Sequence, residues 1–463
     1  MMKLNPHLKG PLPLPIIGSL YTLDRSQPHV SIQKMSKDKV IPFFMGDHFC
    51  MIISCPKMLK EIFIKNFDNF IERPELPIFR KMSDNYRNFV MGKEDYWKLY
   101  KKVFSNAFSK TTLKNNIHQT IDCQNRQLIS VMKSIQKSGQ VFHPKKFVQK
   151  YAFNIILKYV INEYIPYGDD LDESSNQCLE FFHIIEDLFK RLANGNLLDY
   201  VEIVKPFYEF YLMNTYQPID RIIEFMVDKT TQHAQTFNKE VTRDLMDHCI
   251  HELGQDEDAL RKVALMTYDL VVGATETTAG VLEWVILMLA NYPEYQEKCY
   301  EELLEKIDND SRLIVDSDRI STPYLMSFIK ETMRVHPIGP LGVPRATKES
   351  ININGVFIPE KTQIIQNLGA ILKNPEFWDH PEQFKPDRFL KNPHADVFLP
   401  FGLGYKMCLG QNLAFSQLFT LIANIIKNFK IKPPKHTSKI DDSEVFGLTI
   451  HPNEFHVELE SRW

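Results

Sequence analysis

The sequence lacks the features that most simply assign a chain of this size, and each absence excludes something. Seven cysteines, at positions 50, 55, 123, 178, 249, 299 and 408, form no C-x-x-C pair and no C-x-x-C-H run, and their odd count fits a reduced intracellular compartment. No excess of one charge exists either: Lys plus Arg number 55 against 58 for Asp plus Glu, a formal net charge of -3. Nothing global therefore points to nucleic acid or to a polybasic membrane surface. Met1 to Lys9 has no apolar core of the kind a signal peptide needs, and no uninterrupted apolar run approaches roughly 18 residues. The expectation is neither a leader nor a membrane span. Glycine-rich phosphate loops after a strand, internal repeats, low-complexity tracts and long linkers are missing too. What remains is a chain of 463 residues, 44% hydrophobic, with ample material for a large core.

The chain opens on Gly10-Pro11-Leu12-Pro13-Leu14-Pro15-Ile16-Ile17-Gly18, whose prolines remove backbone donors and predict a stiff, extended, non-helical segment. Two apolar runs, Val40 to Met45 and Phe49 to Ile53, flank Gly46-Asp47-His48 and read as a hairpin. Helical periodicity then dominates to about residue 340. The longest helix is expected from about Arg261 to Ala290 and would span about 45 Å. Its centre, Val271 to Gly280, holds two glycines and three threonines in Gly273-Ala274-Thr275-Glu276-Thr277-Thr278-Ala279-Gly280, a local weakness of the kind that marks function. Beyond residue 340 the texture changes. Ile351–Ile353 and Val356–Ile358 around Asn354-Gly355 predict a second hairpin, Gln363–Gln366 a further strand, 374–389 an irregular stretch, and Gln411 to Ile426 a helix.

The chemistry concentrates at Phe401-Gly402-Leu403-Gly404-Tyr405-Lys406-Met407-Cys408-Leu409-Gly410. Glycines on both sides of Cys408 permit the close approach that a loop wrapped on a flat cofactor requires. The following helix favours a thiolate at its N-terminus, and an anionic sulfur in an apolar pocket is a strong donor to iron. A buried structural cysteine in a glycine-rich turn is the alternative.

This loop resembles the F-x-x-G-x-x-x-C-x-G element of the cytochrome P-450 superfamily, in its eukaryotic microsomal-like form. Glu331-Thr332-Met333-Arg334 is similar to its E-x-x-R helix, Pro386-Asp387-Arg388-Phe389 to its Pro-acid-Arg-Phe element, 273–278 to its oxygen-activation motif, and the proline-rich start to its hinge. The order matches along nearly the whole chain. The resemblance implies a mainly α fold with a small β-sheet subdomain and a long central helix over haem b, as a single domain over residues 1–463 with 10–18 as the hinge. It implies Cys408 as the axial iron ligand, with Phe401 and Gly410 beside the cofactor. Glu331, Arg334 and Arg388 become a buried structural triad, where on a surface Glu331 and Arg334 would be a solvated pair worth little. Thr277 would hydrogen-bond dioxygen or a water, and Glu276 would feed protons to it; an isolated helical threonine otherwise bonds the carbonyl four residues back.

For the haem propionates the family offers a W-x-x-x-R helix, an arginine before the ligand and an arginine after the E-x-x-R helix. This chain supplies Trp97 and Lys101, Lys406, and Arg345. Lysine keeps the charge without the planar fork, so weaker or water-mediated contacts are expected. Lys98, Lys101 and Lys102 form a local basic cluster, with Lys406 near it by resemblance, that could steer an acidic electron donor: by resemblance a separate NADPH-dependent flavoprotein reductase.

The implied activity is insertion of one oxygen atom from dioxygen into a small apolar organic substrate. A haem-thiolate isomerase or dehydratase, and a non-enzymatic haem-binding protein, stand as alternatives that the intact Glu276–Thr277 pair disfavours. Substrate contacts are expected in 77–91, 181–210, 268–273, 338–343 and 445–448, which are mainly apolar. Location by resemblance is the endoplasmic reticulum membrane; without a spanning anchor in the sequence, a cytoplasmic or peripheral protein is the other expectation.

Overall fold

The computed structural model describes residues 5–36, 39–168, 177–192, 197–307, 312–391, 394 and 396–462. It is mainly α, with small sheets gathered toward one side. Acidic residues start the central helix, Glu257–Asn291: the Asp256 side chain accepts from the Ala259 N–H at 3.0 Å, and Glu257 and Asp258 sit in the first turn. Pro293 opens the next helix immediately after it. The central helix is apolar nearly all round, as a helix packed on every side must be. It is long and apolar enough to cross a membrane, yet 78% of its apolar stretch is buried within the protein, so it is the core helix. The Pro144–Ile161 helix, itself buried over most of its length, packs against it, as do Gln217–Gln235 and Gln411–Asn428.

The expected weakness at 273–278 leaves the helix unbroken. Tertiary burial outweighs the poor propensity of Gly and Thr, which is worth only about 1 kcal/mol per residue.

The strands are β1 (Val40–Met45), β2 (His48–Ile53), β3 (Arg345–Ala346), β4 (Ile351–Ile353), β5 (Val356–Ile358), β6 (Gln363–Gln366), β7 (Phe429–Lys432), β8 (Glu444–Phe446), β9 (Ile450–Pro452) and β10 (Glu458–Ser461). Both predicted hairpins form. β1 and β2 pair with Met45 opposite His48, so the turn is Gly46-Asp47 and the second strand begins one residue earlier than the apolar run suggests. β6 then pairs parallel to β2, and β3 antiparallel to β6, giving the order β1-β2-β6-β3.

The proline-rich start is not simply extended. Leu14 and Gly18 pair across a turn in which the Ile17 N–H donates to the Pro15 carbonyl at 2.8 Å, and Gly18 bridges on to Met45. The prolines stiffen a clip on the sheet edge rather than a straight rod. A short helix, Leu368–Leu372, capped by the Asn367 side chain, escaped the sequence pattern. The stretch 374–389 is irregular as expected, and Arg388 begins a four-residue turn of helix, Arg388–Lys391.

Candidate active site

Gly404, with φ +75°, leads the cysteine loop close under the Phe63 backbone; a Cβ there would lie 2.3 Å from the Phe63 carbonyl oxygen, so the loop takes this path only with glycine. The Cys408 N–H donates to the Phe401 carbonyl at 2.9 Å and closes the loop, and Phe401 packs on Phe415 of the following helix at 5.1 Å between centroids. The Cys408 side chain is accessible, yet protein surrounds it: burial pushes its thiol up, while the Gly410 N–H and the Lys101 ammonium pull it back down. Lys101, half-buried, is itself depressed by burial and raised by the Cys408 charge.

Behind the loop the three structural residues come together. Arg334 holds Glu331 with two bonds, Nε–Oε2 at 2.8 Å and Nη2–Oε1 at 2.9 Å, and Arg388 Nε reaches Oε1 at 3.0 Å. Both Glu331 and Arg334 are fully buried. The remaining guanidinium donors are spent on backbone carbonyls: Arg334 on Leu372, Pro381 and Gln383, Arg388 on Asp379, His380 and Gln383. The Lys385 N–H also donates to Glu331, at 2.9 Å. One carboxylate thus organises the irregular 379–388 segment, which has no regular backbone ladder of its own. Trp378, beneath Arg334 at 5.3 Å, and Phe389, on Phe398 at 4.8 Å, carry this order toward the cysteine loop.

A second cluster gathers cations. Arg345 on β3 is buried, and its Nε and Nη1 find no acceptor among the described residues. Lys406 donates to the Ile71 carbonyl at 2.6 Å and stands 5.1 Å over the Trp97 ring; burial, with Arg73 and Arg345 nearby, drives it down to about 5. Arg73, lowered to about 10 by burial, donates to the Val90, Val343 and Pro344 carbonyls. The two partnerless donors of Arg345, with Arg73 and Lys406 near it, make this a place that favours anions. A thiolate-ligated haem b would need a sulfur donor, an open slot and partners for two carboxylates, and these residues fit it. Gly273 and Gly402 line open space, since a Cβ added at either meets nothing within 4 Å. Arg73, which no sequence motif marked, completes the cationic set; it stands among charges, between Glu72 and Pro74-Glu75, with nothing to single it out.

The basic cluster at 98–102 changes meaning. Lys98 is tied to Glu94 at 2.5 Å, with Lys348 on the other oxygen of Glu94 at 2.8 Å, and Lys101 faces Cys408. Of the proposed donor-facing set, Lys406 also points inward, and Lys102 is exposed. Lys98 and Lys102 thus stay at the surface, while Lys101 is half-buried and Lys406 is turned inward.

On the central helix Thr275 and Thr277 each donate to the carbonyl four residues back, Val271 and Gly273, at 2.7 and 2.6 Å. Thr277 is half-buried beside exposed Gly273. Glu276 is buried and turned elsewhere: Gln149 donates to its Oε1 at 3.0 Å, and His451 Nε2 lies 3.6 Å from Oε2. Burial raises its pKa, and Glu283 and Glu186 add to the rise. Asp269, two turns earlier, ties the 77–91 segment to this helix, accepting from Asn88 Nδ2 at 2.8 Å and from the Phe89 and Val90 N–H groups at 2.7 Å. Of the other expected substrate positions, Ile338 packs on the central helix at Gly280, while Phe446 stacks on His29 at 5.0 Å.

The family model described as Cytochrome P450 matches residues 8–459. Among relatives, "Probable cytochrome P450 508A2" of Dictyostelium discoideum is 35% identical over 98% of this chain and 94% of its own length, and "Probable cytochrome P450 508C1" of the same organism is 34% identical over the same shares. A zebra fish cytochrome P450 solved with abiraterone shares the fold at a TM-score of 0.81 and 21% identity, covering 94% of this chain and 99% of its own. Cysteine loop, buried Glu-Arg-Arg triad, cation cluster and helix motif therefore sit in a chain that belongs to the cytochrome P450 family, the haem-thiolate monooxygenases that bind haem b.

Proposed function

We propose that Cys408 would ligate the haem iron as a thiolate, that Trp97, Lys101, Arg345, Phe401, Lys406 and Gly410 would hold haem b with Arg73, and that Thr277 and Glu276 manage protons while one oxygen atom from dioxygen enters a small apolar substrate. Electrons come from NADPH through a separate flavoprotein reductase. The observation that carries the reading is the pairing of an accessible sulfur in a closed loop with Arg345, a buried guanidinium whose Nε and Nη1 lack acceptors among the described residues.

When bound, the haem supplies reductive activation of dioxygen. The chain's own residues do the rest. The Gly410 N–H and the helix behind it hold negative charge on the sulfur. The cation cluster would orient the propionates, and Glu331 fixes the segment behind the loop. Thr277 holds a hydroxyl beside open space at Gly273, and burial favours the protonated form of the Glu276 carboxyl. The reduced protein with carbon monoxide tests the ligand: a strongly red-shifted Soret band is expected, absent in Cys408→His. Thr277→Ala is expected to release peroxide at the expense of product; unaffected turnover would return the isomerase reading.

Contact with the surface of the endoplasmic reticulum membrane has its own support. The Gly46-Asp47 turn joins two exposed apolar sets. Asp47 N–H donates to the Tyr200 carbonyl at 2.9 Å, next to Ile203, Phe207 and Phe210, and Met45 bridges to Gly18, next to Leu14 and Ile16. Aromatic and aliphatic side chains grouped in this way partition into a lipid interface. Flotation with anionic phospholipid vesicles, lost in Phe207→Asp/Phe210→Asp, tests it.

A further inference from the structure

His451 on β9 is a buried ionisable group outside the chemistry just described. Its ring lies between two carboxylates of the central helix: Nδ1 is 3.3 Å from Glu283 Oε1, and Nε2 is 3.6 Å from Glu276 Oε2 and 2.9 Å from Thr449 Oγ1. Glu276 and Glu283 stand two turns apart on one helical face. Gly280 occupies that face between them. A Cβ at Gly280 would lie 2.8 Å from His451 Cε1 and 3.1 Å from Nδ1, so the ring fills the notch that glycine leaves. Three residues spaced along one face of the central helix thus build one seat for an imidazole that comes from β9.

The charges decide what the seat is for. Glu276 and Glu283 are 5% and 2% exposed, and His451 is 17% exposed, so the imidazole is the member nearest water. Two buried carboxylates sharing one imidazolium leave an unbalanced negative charge, which a further proton cancels. Burial opposes charge on His451, but the Glu283 hydrogen bond and both carboxylates outweigh it and raise its pKa; Lys145, approaching from the Pro144–Ile161 helix, opposes them. Gln149 from that helix donates to Glu276, and Glu186 acts on Glu276 from the Gln177–Leu192 helix.

We propose that His451, held by Glu283 and Gly280, is a positioning residue that loads Glu276 with the proton it stores. This rests on the reading of Glu276 as the proton source for Thr277. The imidazolium gives its Nε2 proton to Glu276 Oε2, which becomes a neutral carboxyl. His451 remains as the Nδ1–H tautomer bonded to Glu283, and water at its exposed edge returns a proton to Nε2. No electrons move. A shift of a few tenths of an ångström closes the 3.6 Å gap to hydrogen-bond length. Thr449 holds Nε2 between transfers: its hydroxyl donates to the neutral ring and accepts from the charged one.

Two measurements on the haem-loaded protein test this. In the diamagnetic ferrous carbonyl form with ¹³C-labelled histidine, His451 is expected to titrate above the ordinary range, and Glu283→Gln to lower its proton affinity about tenfold or more. An unchanged titration overturns the coupling. With reductase and NADPH, peroxide released per NADPH and the solvent deuterium isotope effect are both expected to rise in His451→Gln, the isotope effect to about 2 or more. Gly280→Ala, which displaces the ring without touching any charge, is expected to move both in the same direction. A rise in Thr277→Ala with none in His451→Gln or Gly280→Ala overturns the role of His451 and leaves the relay standing. No rise in any of the three overturns the relay itself, and this inference with it.

Discussion

Glu331→Gln keeps the volume of the buried triad and removes its charge. In the native protein the carboxylate takes four hydrogen bonds, from Arg334 Nε and Nη2, Arg388 Nε and the Lys385 N–H, at 2.8 to 3.0 Å. A glutamine has one acceptor oxygen, and its amide N–H₂ would face a guanidinium. Two cations, 0% and 8% exposed, would then lack a counter-ion. Breaking a buried pair this way costs about 3–5 kcal/mol, against a total stability of about 5–15 kcal/mol for a typical domain. The chain can survive as a folded protein. The 379–388 segment cannot, because its carbonyls are organised by those same guanidiniums. At 1.4 kcal/mol per tenfold, the population with the cysteine loop correctly held falls about a hundredfold or more. The assay is haem per protein, from the reduced carbon monoxide spectrum, beside a denaturant titration. Arg388→Met is the graded control: it removes one of the four bonds and leaves the Glu331–Arg334 pair intact, so its loss is smaller. Wild-type haem content together with a wild-type unfolding midpoint in Glu331→Gln would refute the reasoning.

Arg345→Met carries two opposite signs. Removing a buried guanidinium with unpaired donors should stabilise the haem-free protein by about 1–3 kcal/mol, while haem transfer to apomyoglobin becomes faster; both shifting downward together would contradict its assignment to a propionate. Glu444 is a different clamp, bonded to His29 at 2.9 Å and to His336 and Lys373 at 3.2 Å. Burial alone would raise its pKa, but these partners drive it far below the usual carboxylate value. A depressed carboxylate stabilises fully above its unfolded pKa, about 4.3, and the contribution disappears as pH falls through the folded value. Glu444→Gln should therefore lower the unfolding midpoint at pH 7 by a constant amount down to about pH 5 and converge with wild type on further acidification; parallel curves throughout would count against it.

The readable parts of the site are those set by local rules. Turn chemistry placed the hairpins at Gly46-Asp47 and Asn354-Gly355, and spacing alone put Glu331 and Arg334 on one face. Cys408, Arg388, Lys406 and Arg345 were legible through the order of their motifs. The unread parts are contacts between distant segments. Arg73 reaches the carbonyls of 343 and 344, and His451 reaches back to a helix that ended at Asn291. Neither has a period or a neighbour that announces it. Lys101 and Lys102 differ for a local reason that adjacency in sequence hides: a helix turns about 100° per residue, so Lys102 is exposed while Lys101 is half-buried.

This difference in range separates the ways the enzyme can fail. The sulfur side is built from 331–334, 379–391 and 396–410, held by one buried carboxylate, so a single substitution there disables cofactor retention as a unit. The helix side is assembled from Gln149, Glu276, Glu283 and His451, brought together by the core and joined by longer contacts of 3.0 to 3.6 Å. Changes there leave the cysteine loop and the cation cluster untouched. Variants of Glu331, Arg334 and Arg388 should consequently lose the carbon monoxide spectrum, whereas variants of Thr277, Glu276 and His451 should keep that spectrum and lose coupling. A His451 variant that bleaches the haem, or a Glu331 variant that merely uncouples, would mean the two sides are not independent.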